Sequence, residues 1–217
     1  MFNFAALMSS NEKHIQLLES AERLFALQGF EGTSVRDIAE DAGANIAMIS
    51  YYFGSKEKLM EALFERKLGD VKSRVEHLLK DNTLTSFQKV ELLIEEKVNK
   101  VFRDKRFHRI MICEQIINQN PVITELLKKV KLKNAAFIGE LIRDGQKKGD
   151  FKKKVDVVML LSIMIGTISQ LMINHDFYRE FNKLQELPDP EFDQLLQAKT
   201  TSAIKKIFKS LLVNETA

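Results

Sequence analysis

TSVRDIAEDAGANIAMISYYFGSKEKL, residues 33–59, holds two short helical runs joined by a glycine turn. Val35, Ile38, Ala39 and Ala42 fall at i, i+3, i+4 and i+7, with Thr33 available as the cap before them and Gly43 stopping the run. That is a helix of only about two or three turns. Asn45 caps a second short segment ending at Phe53, and Gly54-Ser55 opens a much longer helix in which Ser55 is the N-cap. Two short helices in this order match a helix-turn-helix, whose second helix enters the major groove of DNA. On pattern alone an ordinary three-helix subdomain fits equally well, and residue content separates the two. Once Ile49 and Phe53 are given to the core, Met48, Tyr51 and Tyr52 are left facing outward, and large exposed side chains on a short helix call for a partner. Tyrosine hydroxyls donate to phosphates, and Ala or Met methyls touch thymine methyls.

Outward from this stretch the pattern stays helical. Upstream, Ser9 and Glu12 form a capping-box pattern, followed by Leu17, Leu18, Ala21, Leu24 and Phe25 at helical spacing until Gly29. The apolar start MFNFAALM has no basic segment before it and runs into polar residues, which predicts a frayed or lightly docked N-terminus rather than a secretory signal. Downstream, apolar stripes span residues 59–79 and 87–102, a third segment surrounds Met111, and Pro121 opens a helix broken by Gly145 and Gly149. An uncharged helix starts at Val157 and is expected to run to about Phe181. The last amphipathic helix follows Pro188-Asp189-Pro190 and carries Phe192, Leu195, Leu196, Ala203, Ile204, Ile207, Phe208 and Leu211. No repeat or low-complexity tract interrupts the series.

Composition agrees. A chain of 217 residues with 45% hydrophobic content, 9 Gly and 3 Pro has too little turn chemistry for many short strands and too much apolar content for disorder. A net charge of +3 is too small to name nucleic acid or acidic lipid as the partner by bulk attraction. One cysteine, Cys113, closes no intrachain disulfide, no Cys/His cluster suits a structural zinc site, and the expected compartment is the cytoplasm. The longest uncharged stretch, residues 157–174, contains Ser162, Thr167, Ser169 and Gln170 and reads as a buried helix, with no membrane partner. Residues 55–58 formally fit S-x-x-K, but no S-D-N or K-T-G follows. The four histidines make no H-E-x-x-H pattern, and no G-x-G-x-x-G or Walker sequence exists, so no enzyme, metal or cofactor is expected.

Residues 33–59 resemble the DNA-binding signature of the TetR (tetracycline repressor) family of bacterial transcriptional regulators. Thr33, Ile38, Ala39, Ala42, Gly43, Tyr51, Tyr52, Phe53, Ser55, Lys56 and Glu57 stand where that family has a Thr-capped helix, an Ile-Ala pair, an Ala-Gly turn, an aromatic pair before Phe, and a Ser-Lys-Glu helix start. The resemblance implies an all-α protein with an N-terminal three-helix helix-turn-helix DNA-binding head, residues 1–54, and a larger helical ligand-binding and dimerisation body, residues 55–217. It implies that Thr33 and Arg36 approach the DNA, that Asn45, Ile46, Ala47 and Met48 meet base edges with Ser50 nearby, and that Tyr51, Tyr52 and Lys56 hold the backbone. Ala47, Asn45 and Ser50 depart from frequent family residues and leave few strong donors on the reading surface, which shifts specificity toward methyl contacts and DNA shape. Residues 1–60 hold five basic and eight acidic groups, a net of −3, which predicts modest non-specific affinity.

Two further expectations concern the body. Ser162, Gly166 and Ser169 form a small-residue stripe on the uncharged helix, which with Ile204 and Phe208 of the last helix is expected to build a homodimer interface. Phe102, Phe107, Met111, Phe137, Met164 and Ile168, with Gln115 as a polar handle, are expected to surround a small, largely apolar effector. The function so read is a ligand-responsive repressor that binds a palindromic double-stranded DNA operator as a homodimer and is released by the effector. The alternative is a helical scaffold or small-molecule-binding protein that retains the head without specific DNA binding.

Overall fold

The computed structural model describes residues 4–68, 71–118 and 120–214, with the backbone course alone for residues 4–11 and 118. It is helical: α1 (Phe4–Gln28), α2 (Val35–Asp41), α3 (Ile46–Tyr52), α4 (Lys56–Leu68), α5 (Val71–Lys80), α6 (Ser86–Arg103), α7 (Lys105–Cys113), α8 (Pro121–Lys147), α9 (Val157–Ile173), α10 (His175–Phe181) and α11 (Asp189–Leu212). A π-helical turn, Glu114–Asn118, continues α7. Among the described residues the one β contact is an isolated bridge between Phe151 and Val213.

Several boundaries differ from the sequence reading. α1 begins before Ser9, so Ser9 lies inside the helix rather than at its cap, and the docking of the apolar start lies outside the described side chains. The stripe over residues 59–79 is divided between α4 and α5. Gly145 does not break α8, which continues to Lys147, whereas Gly149 leaves the helix with φ +83°. The uncharged helix stops at Ile173, and α10 leaves it at 73°. No single helix among the described residues is long and apolar enough to cross a membrane; α9 and α10 pass only when counted together.

The chain forms two compact units, Met1–Gly69 with Lys105–Lys131, and Asp70–Asp104 with Leu132–Ala217. In the first, Leu17, Leu18, Ala21 and Phe25 of α1 meet Ile38 and Ala39 of α2, Ile49 of α3, and Leu59, Met60, Leu63 and Phe64 of α4. Phe107, Ile110 and Met111 of α7 and Ile123 and Leu127 of α8 complete that core. The division expected after residue 54 therefore does not follow the packing, because α4 buries its apolar face with the head. In the second unit α6, α9 and α11 meet through Ile94, Val98, Leu160, Met164, Ile168, Leu196, Ile204 and Phe208. Thr85 and Gln88 form a reciprocal capping box at the start of α6. One turn in, Lys89 is fully buried and its ammonium makes no hydrogen bond among the described residues.

The candidate nucleic-acid interface

Each local signal at residues 33–59 has a physical counterpart. Ser34, not Thr33, caps α2: its hydroxyl accepts from the Asp37 N–H at 3.1 Å, and the Ser34 N–H donates to the Asp37 carboxylate at 2.9 Å. These bonds, that from the Ser34 backbone first, hold the Asp37 carboxyl below the ordinary carboxylate range. Gly43 takes φ +56° in the turn, a left-handed conformation in which a Cβ would be strained. Asn45 Oδ1 accepts from the Ala47 N–H at 2.8 Å and starts α3. The Ser55 hydroxyl accepts from the Lys58 N–H at 3.2 Å and caps α4 as expected.

The outer surface made this way consists of Arg36 on α2 and of Asn45, Ile46, Ala47, Ser50 and Tyr51 on α3, all exposed, with Tyr51 81% accessible. Ile49 alone on α3 is buried, which fixes which face is free. Four of the ten expected DNA contacts are placed differently. Thr33 is 1% exposed and its hydroxyl donates to the Gly29 carbonyl at 2.8 Å, so it pins the α1–α2 turn. The Lys56 ammonium donates to the carbonyls of Phe30 at 2.9 Å and Thr33 at 3.1 Å and lies 4.2 Å from the Phe30 ring centroid. It is a tie inside the head rather than a phosphate clamp. Met48 and Tyr52 are half-buried against the core, because α3 is so short that its flanks must pack as well. Tyr52 meets His14 and Tyr51 edge to face, at 5.7 and 5.0 Å, while His14 stacks on Phe53 at 4.7 Å. Burial, and secondarily the Arg66 charge, push the His14 imidazole down from its ordinary value.

The scarcity of free cations on the head has a local cause. Arg23 is held by Asp41 at 2.5 Å and Ser20 at 2.9 Å, and Lys58 by Glu61 at 2.7 Å. Ser20 first and Arg23 second lower the Asp41 carboxyl. With Lys56 committed internally, Arg36 is the cation of α2, α3 and the start of α4 that the described contacts leave open.

The residues expected to bind an effector are not gathered into one core. Phe107, Met111 and Gln115 belong to the first unit, and Phe102, Phe137, Met164 and Ile168 to the second. Phe107 is buried edge to face against Phe64 at 4.9 Å. Gln115 donates to the Met111 carbonyl at 2.8 Å and accepts from Lys131. A groove of about 720 Å³ on the second unit lies between α6 and α11, where Lys205 reaches Glu95 at 2.5 Å and Gln197 donates to Asn99 at 2.6 Å. None of the seven residues lines it.

The dimer residues divide likewise. Ser162 and Gly166 are exposed on α9, Ser169 is half-buried, but Ile204 and Phe208 face the core of their own unit, Ile204 at 0% exposure. The period of α11 turns Ala203, Ile207 and Leu211 outward instead. α9 is not covered on nearly all sides: Val158, Met159 and Ile173 are exposed by 64%, 57% and 59%.

A short capped helix, a left-handed glycine turn and a second short helix with an open outer face define a helix-turn-helix DNA-binding protein. Residues 17–63 match the family described as bacterial regulatory proteins, tetR family, and the relatives that match along most of the chain are transcriptional regulators rather than enzymes. The chain is 24% identical over 160 residues to the fatty acid metabolism regulator protein of Bacillus subtilis, across 73% of this chain and 80% of that one. It is 22% identical over 182 residues to the HTH-type transcriptional regulator UidR of Escherichia coli, across 79% and 87%. The crystal structure of the Bacillus subtilis transcriptional regulator FadR in complex with stearoyl-CoA has the same fold, with a TM-score of 0.62, 20% identity and coverage of 88% of this chain and 96% of that one.

Proposed function

We propose that the chain is a repressor that binds a palindromic operator as a homodimer through α3 and leaves it when a largely apolar, acylated small molecule binds. The observation that carries this reading is the free face of α3, where Asn45, Ile46, Ala47, Ser50 and Tyr51 offer one amide, methyl groups and a phenol rather than a row of cations. Such a face reads bases through methyl contacts and DNA shape more than through charge. The dimer is supported by the uncovered apolar side of α9 around Ser162 and Gly166, with Ile207 and Leu211 of α11 replacing Ile204 and Phe208. A two-fold dimer sets two α3 helices roughly 34 to 36 Å apart, one turn of DNA, which requires a palindrome. The acylated effector is supported by what the Bacillus regulators are named for and by the stearoyl-CoA bound to one of them.

Release requires that the effector bind the DNA-free state more tightly, since equal affinity for both states shifts nothing. Selection of bound sequences from a random DNA pool, followed by anisotropy titration of the selected duplex with and without stearoyl-CoA, tests the reading. An enriched palindrome released by stearoyl-CoA but not by free coenzyme A is the expected result. Absence of any enriched palindrome overturns the operator assignment and favours the scaffold alternative, whereas a palindrome indifferent to acyl-CoA overturns the effector class.

A further inference from the structure

We propose that Phe177 and Phe181 of α10 form an arm that packs on a second copy of this chain, over Val158 and Met159 of the partner subunit. The proposal rests on the homodimer reading above and adds to it which surfaces meet.

α10 is amphipathic the wrong way round for a helix that faces water. Its Arg179 turns inward: the guanidinium lies 4.2 Å from the Phe192 ring centroid and donates to the Asp189 carboxylate at 2.8 Å. Tyr178 lies beside the same ring, at 6.4 Å. Phe177 and Phe181 turn outward, 68% and 76% exposed, with their ring centroids 5.9 Å apart. The Leu184 N–H donates to the Arg179 carbonyl at 2.9 Å, which turns the chain after α10. The helix is therefore held in place by its arginine, and what it presents to solvent is a pair of phenylalanines. Adjacent exposed aromatic rings on a fixed element mark an interaction surface.

What covers the pair follows from α9. Met159, Gly166 and Ile173 stand at seven-residue intervals and are all exposed, with Ser162 and Ser169 between them. The outer face is thus small at its middle and large and apolar at both ends. Such a face is complementary to itself when turned end for end about Gly166, which is what a two-fold contact requires. A Cβ on Gly166 meets nothing within 4 Å in its own chain, so a second helix can approach closely there. In that arrangement the C-terminal end of one α9 lies beside the N-terminal end of the other. Phe177 and Phe181, on the helix that leaves α9 at 73°, are the exposed apolar groups that follow the first end, and Val158 and Met159 are those at the second.

Charge agrees with this direction. Asp176 and Glu180 are exposed beside the two rings, and Lys153 and Lys154 are exposed just ahead of α9. The end-for-end contact brings the acids of one copy to the lysines of the other, whereas a parallel contact sets like charges together. α9 carries no charged residue from Val157 to Ile173, so nothing along its length opposes burial. The same acids disfavour an anionic lipid surface as the occupant.

Cysteine pairing tests the contact without DNA or effector, so it fails independently of the operator and effector readings. In a Cys113→Ser background, Met159→Cys combined with Phe177→Cys is expected to give a disulfide-linked dimer on a non-reducing gel. Met159 and Ile173 are about 21 Å apart along α9, with Phe177 beyond, so the bond can form only between copies. Neither single variant links, because two-fold symmetry puts the two copies of each residue at opposite ends of the contact. A link in either single variant, or none in the pair while the wild type sediments as a dimer, overturns the arm. A wild-type monomer at micromolar concentration overturns the dimer reading and the arm with it. Phe177→Ser with Phe181→Ser should raise the dimer dissociation constant about a hundredfold with unchanged circular dichroism, since both rings lie outside the core. An unchanged constant overturns the proposal, and co-sedimentation of wild type but not this variant with phosphatidylglycerol vesicles would then assign the rings to a lipid surface.

Discussion

Lys56, Arg36 and Tyr51 belong to one DNA-binding signature, residues 33–59, yet the structure gives them different work. Lys56→Ala removes two charge-assisted hydrogen bonds to carbonyls and a contact with the Phe30 ring, a loss of about 2 kcal/mol in a half-buried setting. Thermal melts should show a destabilised head, with operator binding impaired through folding. Arg36→Ala and Tyr51→Ala should leave the melt unchanged and weaken operator binding, and Arg36→Ala alone should flatten the log-log salt dependence by about one unit. An unchanged slope in Arg36→Ala would remove that residue from the phosphate contacts. His14 adds a pH effect. Its folded-state affinity for protons is depressed, so below about pH 6.5 the unfolded chain binds the proton first and the folded state loses stability as the pH falls. Melts of wild type between about pH 7 and 5 should show that loss, and His14→Leu should reduce it.

At the scale of elements, the starts of α3 and α4 were legible because caps and glycine turns are local chemistry: Asn45 and Ser55 cap where the sequence puts them. Thr33 and Ser34 are adjacent residues of equal capping ability, and only the placement of the Gly29 carbonyl decides that Thr33 turns inward. The end of α8 was misread for a similar reason. Gly145 looks like a helix breaker, but its missing side chain admits the Phe151 ring, so the helix passes through it. Gly145→Ala gains about 1 kcal/mol of helix propensity and incurs a contact of 2.3 Å with a buried ring, an overpacking cost of about 1–3 kcal/mol. Denaturant unfolding should show net destabilisation. A more stable variant would mean that Phe151 gives way without cost.

For the whole molecule, Gly166 tests the dimer more cleanly than any other residue of α9. A Cβ there meets nothing within 4 Å in the chain itself, and the position is exposed. Gly166→Glu should therefore leave the fold intact by circular dichroism and yield monomers by analytical ultracentrifugation, with operator affinity falling because both half-sites are no longer held together. A dimer that survives the change would move the interface away from this stripe. Phe107→Ala, by contrast, tests no pocket. It opens a cavity in the first unit's core and costs about 3–5 kcal/mol, so any loss of effector response would follow from loss of structure.

The sequence by itself determined what depends on neighbours a few residues away: helix content, the caps and turns that position α3, and the absence of catalytic spacing. Tertiary structure alone decided which side of each helix is spent on the fold. Lys56 and Thr33 carry the right chemistry for DNA, but carbonyls of the α1–α2 turn claim them first. Ile204 and Ile207 are interchangeable by composition, and the packing of α11 against α6 and α9 buries one and leaves the other in solvent. Periodicity names a stripe; which partner covers it is set by long-range packing, which no local window contains.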